Sequence, residues 1–157
     1  MFHGSIPADL RSIIAEHART WEAGTDVYVG CSGNYTIERV LQPFGFRLHS
    51  NDVQAYSSAL GFWFANNKVP FTLREEYTDQ LSWLDPFLDE GAGTLAVLML
   101  GTTFLQSVGK GHSRWHARQI RAYRDQFPAM HEKTVRRIED SPLQLASYSP
   151  MDVREWL

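Results

Sequence analysis

Residues 26–41, "DVYVGCSGNYTIERVL", begin with a short apolar run, place two glycines three apart, and pass at once into an amphipathic helical pattern. Glycines at 30 and 33 would let the backbone turn sharply between a strand and a helix. The same corner would let a ligand approach main chain at a helix N-terminus, where N–H groups lack intrahelical partners. The corner alone leaves both readings open.

Upstream, residues 7–22 put Leu10, Ile13, Ile14, His17 and Trp21 at helical spacing behind Pro7, which suits a first turn. Residues 26–30 read as a buried strand, and residues 35–42 as a short helix with Ile37, Val40 and Leu41 inward, stopped by Pro43. "FRLHSND" (46–52) alternates as a second strand ending at Asp52, and "VQAYSSALGFWFA" (53–65) reads as a helix. Helix, strand, glycine corner, helix, strand, acid, helix is the opening of a doubly wound α/β sheet, whose ligands lie at the carboxyl ends of the strands. Pro70, Pro86 and Gly91–Gly93 then break up an acidic stretch, and residues 94–108 are apolar enough for a buried helix or a central strand, with their length favouring helix. Residues 114–127 and 130–140 predict two helices separated by Pro128. Residues 143–157 predict a strand, a turn at Ser149–Pro150 and a helix starting near Asp152.

The chain has 157 residues, 43% of them hydrophobic and 21% charged, which describes an ordinary globular protein of one-domain size. No apolar run approaches the roughly 20 residues that span a bilayer, so no membrane partner is expected. The start lacks the basic and apolar regions of a signal peptide, which makes the cytoplasm the default location. The single cysteine, Cys31, excludes an intrachain disulfide and a cysteine-rich zinc site, and no metal is expected. The net charge is −3, but residues 71–109 carry one arginine against six acids, whereas residues 110–140 carry eight Lys/Arg against four acids. The basic charge is concentrated late in the chain.

Asp52 follows Gly33 by 19 residues, close to the ~20 expected of an acid that reads a ribose. The dinucleotide fingerprint G-x-G-x-x-G wants a middle glycine, and the loop here is G-C-S-G-N. A ligand with a ribose and no pyrophosphate fits better than NAD, and S-adenosylmethionine is such a ligand. The bland alternatives are a plain turn at Gly30 and Gly33, helix N-caps at Asp52 and Asp152, and packing for Cys31.

"YVGCSGNYTIERVL" with "LHSNDVQAYSSALG" resembles the first two motifs of Dam-type DNA adenine-N6 methyltransferases, a loop of the form E-P-F-x-G-x-G followed by an N-D-x-N strand end. More particularly, the chain is similar to the Dam-like adenine methyltransferases of phages and mobile elements, some of them labelled antirestriction methyltransferases. The resemblance covers residues 3–65 well, residues 141–157 moderately and the middle loosely. It implies a Rossmann-like S-adenosylmethionine-dependent methyltransferase fold, partial, with a helical insertion. Gly30, Cys31, Ser32, Gly33 and Asn34 would wrap the methionine end of the cofactor. Asp52, with Asn51 before it, would accept from the ribose hydroxyls, Val53 would pack on the adenine, and Asp152 would meet the adenine amino group. His3, Gly4 and Ser5 would sit where the family's W-x-G-G-K element closes over the methionine. The loop lacks the family's leading acid and Pro–Phe, and the first element lacks its lysine.

The implied organisation is a first part of the core at 1–69, a helical insertion at 70–140, and a return to the core at 141–157. In the family the insertion recognises DNA. Lys110, Arg114, Arg118 and Arg121 would contact phosphates there, with Arg114, Arg118 and Arg121 on one helix face. The bland reading is a solvated face. Catalysis in the family needs a D-P-P-Y-like tetrad after the third acidic strand. No such tetrad follows Asp152 in these residues, and "LDPFLD" (84–89) reads as a helix-breaking turn. The expected function is therefore the cofactor-binding portion of a DNA adenine methyltransferase-like protein, inactive alone, with a second polypeptide or downstream domain completing the site. The alternative is a non-catalytic methyltransferase-derived module that binds nucleic acid or inhibits a restriction or defence enzyme.

Overall fold

A computed structural model describes residues 6–69, 71–72, 75, 81–104 and 114–156, leaving aside the side chains of 102–104, 114–117 and 119–120. The chain is mixed α/β and divides into two compact units, Met1–Asn67 with Pro142–Leu157, and Lys68–Ser141.

The first unit starts with helix α1 (Ala8–Ala18) and continues through β1 (Asp26–Val29), α2 (Thr36–Leu41), a 3-10 turn (Gln42–Phe44), β2 (Arg47–Asn51) and α3 (Ala55–Phe64). The strands β1, β2 and β3 (Ser147–Ser149) form a parallel sheet in that order. Helix α3 packs on β2 and β3, and α1 packs on α2. The inward positions Val29, Leu48, Tyr35, Leu41, Leu60, Phe64, Leu143 and Leu145 are buried.

One expectation fails in this unit, and one periodic stripe proves largely exposed. The stripe on α1 does not face the core: Leu10 and Ile13 are 45% and 49% exposed, His17 is exposed, and Ala18 is the buried residue of the helix. Strand β1 is likewise half-exposed rather than buried, because Asp26 and Tyr28 belong to an open face of the sheet. Cross-strand pairing fills that face with polar and aromatic groups. Tyr28 stacks on its register partner His49 with ring centroids 4.6 Å apart, and His49 also contacts Asp26 and Ser147 at 2.9 and 2.7 Å.

The second unit contains a 3-10 segment (Ser82–Phe87), an apolar helix α4 (Ala92–Phe104) and a long helix α5 (Arg114–Glu139). Its core joins Leu81, Leu84, Val97 and Phe127, with Trp83, Phe87, Leu88, Leu100 and Tyr123 packed around them. Where the sequence predicts two helices, α5 runs unbroken through Pro128. An interior proline costs about 3 kcal/mol. Tyr123, Phe127 and His131, at i, i+4 and i+8, keep one packed stripe across the site, since Phe127 is fully buried and His131 bonds the Gly93 carbonyl at 3.0 Å. That continuous packing offsets the lost backbone bond. The chain returns to the first unit, and α6 (Val153–Trp156) follows β3.

Candidate cofactor corner

All three strands run parallel, so their carboxyl ends share one edge of the sheet, and the residues after each strand gather there. After β1 the backbone is unusual. Cys31, Gly33 and Tyr35 have φ of 55°, 56° and 58°, alternating in the left-handed region. Cys31 and Tyr35 each resist that conformation by about 1–2 kcal/mol, so surrounding contacts must impose it. Ser32 N–H donates to the Asn51 carbonyl at 2.9 Å, and Tyr35 N–H to the Ser32 carbonyl at 2.9 Å. Tyr35 is fully buried and its hydroxyl donates to the Ser57 carbonyl at 2.7 Å. Burial above all, aided by Tyr148, Glu38 and Asp52, pushes its phenol far above the ordinary range.

The two glycines serve different purposes. A Cβ on Gly30 would stand 2.9 Å from Val153 Cγ2, so this glycine lets α6 approach the loop. Gly33 has a positive φ and open space where a Cβ would be, with only the Cys31 carbonyl near, at 3.9 Å. Its N–H donates to Asp52 Oδ2 at 2.8 Å. The other oxygen, Asp52 Oδ1, accepts from Gln54 N–H at 2.8 Å ahead of α3. Asp52 is 6% exposed, and each carboxylate oxygen keeps one lone-pair direction beyond these bonds.

Around this pair, Asn51 is buried and its amide donates to the carbonyls of Ser149 (3.1 Å) and Met151 (2.6 Å), tying β2 to the end of β3. Cys31 and Asn34 are exposed. Val53 and Met151 present apolar side chains to solvent at adjacent strand ends, 64% and 41% exposed. Asp152 accepts from Arg154 Nη2 at 2.7 Å, Nε at 3.0 Å and its backbone N–H at 2.9 Å. The Arg154 side chain holds that carboxyl below its usual range. The strands thus bring together the 30–34 loop, residues 51–53 and Asp152. His3, Gly4 and Ser5 lie outside the described residues.

Sequence reasoning missed the layer beneath. Glu38 on α2 is fully buried, its Oε1 accepts from Ser50 Oγ at 2.9 Å, and its Oε2 has no hydrogen-bond partner. Burial raises its pKa. Helical spacing held the signal, because Glu38 stands three residues before the inward Leu41. Tyr148 donates to the Asp52 carbonyl at 2.7 Å and lies 2.8 Å from Ser58 Oγ. Helix α3 reaches Tyr148 through Gly61, where a Cβ would fall 2.2 Å from the tyrosine ring.

In the second unit, Arg118 and Arg121 are exposed on α5. Arg114 begins that helix, its side chain lies outside the described residues, and Lys110 lies outside them altogether. Phe87 of the Asp-Pro-Phe turn packs edge-on against Phe127, centroids 5.0 Å apart, within the core. Among the described residues there is no group of three or more metal-ligating side chains and no helix long and apolar enough to cross a membrane.

Residues 2–157 match the family described as Phage DNA Adenine Methylase-like domain 1. No curated protein and no solved structure matches significantly. The match takes in nearly the whole chain, the glycine corner and the acidic strand end with it: the protein belongs to the phage DNA adenine methylase-like family.

Proposed function

We propose that this chain is the S-adenosylmethionine-binding portion of a DNA adenine-N6 methyltransferase-like protein, built on a Rossmann-like half-sheet. The parallel order β1–β2–β3, with helical crossovers, is that of one half of a doubly wound sheet. The observation that carries the reading is the pairing of Gly33 with Asp52 beside exposed Val53, at the carboxyl ends of β1 and β2. The residues present fit the cofactor's chemistry. Asp52 has lone pairs left for ribose hydroxyls, Val53 and Met151 offer apolar surface to a flat base, and Gly33 leaves room for close approach. Gly30, Cys31, Ser32 and Asn34 would line the methionine end, and Asp152 would turn from Arg154 toward the adenine amino group. His3, Gly4 and Ser5 complete the proposed set.

Bound there, the cofactor supplies an electrophilic methyl group. The chain's own part is to hold and orient it. DNA is the proposed substrate, with Lys110, Arg114, Arg118 and Arg121 as phosphate-binding cations, and the base-holding tetrad is proposed to come from a second polypeptide or domain. Calorimetric titration with S-adenosylmethionine and its demethylated product tests the reading, with binding expected and Asp52→Ala at least tenfold weaker. Equal affinity for parent and variant would remove Asp52 from the site.

A further inference from the structure

Glu38 is a buried acid of the corner that the proposed cofactor site does not use. Its carboxyl is tied to the end of β2: Ser50 Oγ donates to Oε1 at 2.9 Å, two residues before Asp52. The Ser32 hydroxyl stands beside the same carboxyl, while its 3.2 Å bond to the Val29 carbonyl is a long one. Oε2 is buried and unpartnered. Such an atom is costly to leave unpaired, and in a native fold it calls for an explanation, a catalytic role or an ion that answers it among them.

We propose that Glu38 is the charge-sensing residue of this corner, a buried acid that favours a ligand carrying a fixed positive charge over its neutral analogue. The inference rests on the cofactor reading, since S-adenosylmethionine has a sulfonium and its demethylated product a neutral thioether. A cation at the loop stabilises the ionised carboxyl through a low-dielectric interior, where charges interact far more strongly than in water. Burial keeps the free protein's Glu38 harder to ionise than an ordinary glutamate. Binding the cation therefore favours the carboxylate and displaces the proton Glu38 carries in the free chain into the buffer, in the pH range where it carries one, whereas the thioether has no charge with which to do so. The groups acting on this carboxyl are the Ser32 hydroxyl, which donates to it, and Tyr35 from the corner, the Glu38 backbone N–H and Arg39 from its own helix, and Ser50 from β2. Helix α1, packed on α2, buries only the uncharged Ala18.

Glu38 is a positioning and selectivity residue, and proton counting separates that from a merely structural role. The experiment titrates the chain with each compound in two buffers of different ionisation heat, from pH about 5 to about 7.5, and compares Glu38→Gln. Proton release with S-adenosylmethionine alone, abolished in Glu38→Gln together with about tenfold of the preference for the cation, supports the inference. Equal proton counts for the two compounds, with binding still dependent on Asp52, would overturn it and leave the cofactor reading intact. Failure of both compounds to bind the parent chain overturns both. The parent's own proton count decides the matter if Glu38→Gln does not fold.

Discussion

Asp52 Oδ2 accepts a hydrogen bond from Gly33 N–H at 2.8 Å, across 19 residues of chain. That bond makes one residue both the acid of the strand end and a tether of the glycine loop. Because the carboxylate also receives Gln54 N–H, removing it leaves two backbone donors unanswered. Asp52→Ala should therefore lower stability by about 2–4 kcal/mol in urea unfolding, besides weakening cofactor binding. Unchanged stability would show that the loop is held by its other bonds.

Gly61 is a packing glycine. A methyl group there would meet Tyr148 Cδ2 at 2.2 Å and the Tyr35 hydroxyl at 2.4 Å, both fixed by hydrogen bonds. Gly61→Ala should cost about 1–3 kcal/mol from overpacking, despite alanine's better helix propensity. Thermal unfolding checks it, and a rise in melting temperature would refute the close packing of α3 on β3.

Asp89 and Glu38 should move stability with pH in opposite directions. Burial pulls the Asp89 carboxyl up, but bonds from the N–H groups of Thr94, Gly91 and Gly93 outweigh it, so its pKa is lowered. A depressed carboxylate stabilises the fold above its unfolded pKa, and that contribution disappears as pH falls through the folded value. Asp89→Ala should cost about 1 kcal/mol at neutral pH and little in acid. Glu38 is raised, so its contribution is present below the unfolded pKa and fades as pH climbs through the folded one. Glu38→Gln should flatten the alkaline limb. Urea titrations across pH about 3 to 8 read both.

Replacing Arg114, Arg118 and Arg121 together should weaken DNA binding and reduce its salt dependence by a slope of roughly 0.9 for each phosphate no longer neutralised. Arg118 and Arg121 are exposed, so the melting temperature should hardly move. Loss of folding in the triple variant would make these arginines structural.

The 157-residue chain alone should not transfer a labelled methyl group to unmodified DNA. Transfer needs the base held out of the stack with its amine aimed at the methyl. The Asp-Pro-Phe turn cannot hold it, because Phe87 is packed against Phe127 and His131. Activity of the isolated chain would overturn the proposed division of labour.

Local pattern determined much of this protein from sequence alone. Strand and helix periodicity, the glycine corner and the 19-residue interval to Asp52 follow from side-chain spacing, which any chain carries without its fold. Tertiary contacts decided the rest. The α1 stripe stays largely exposed, and Ala18, a weak signal in the sequence, is the residue of that helix the fold buries. Helix α5 passes Pro128 because Phe127 and His131 bury a stripe that a local breaker rule does not see. Gly30 faces Val153 from a segment 123 positions away in sequence, a proximity only the folded sheet creates. Spacing puts Glu38 on the face of Leu41, but only the fold brings Ser50 of β2 to one of its oxygens and leaves the other with no partner. Periodicity reports which face a residue occupies, whereas burial and charge depend on what the chain folds against that face.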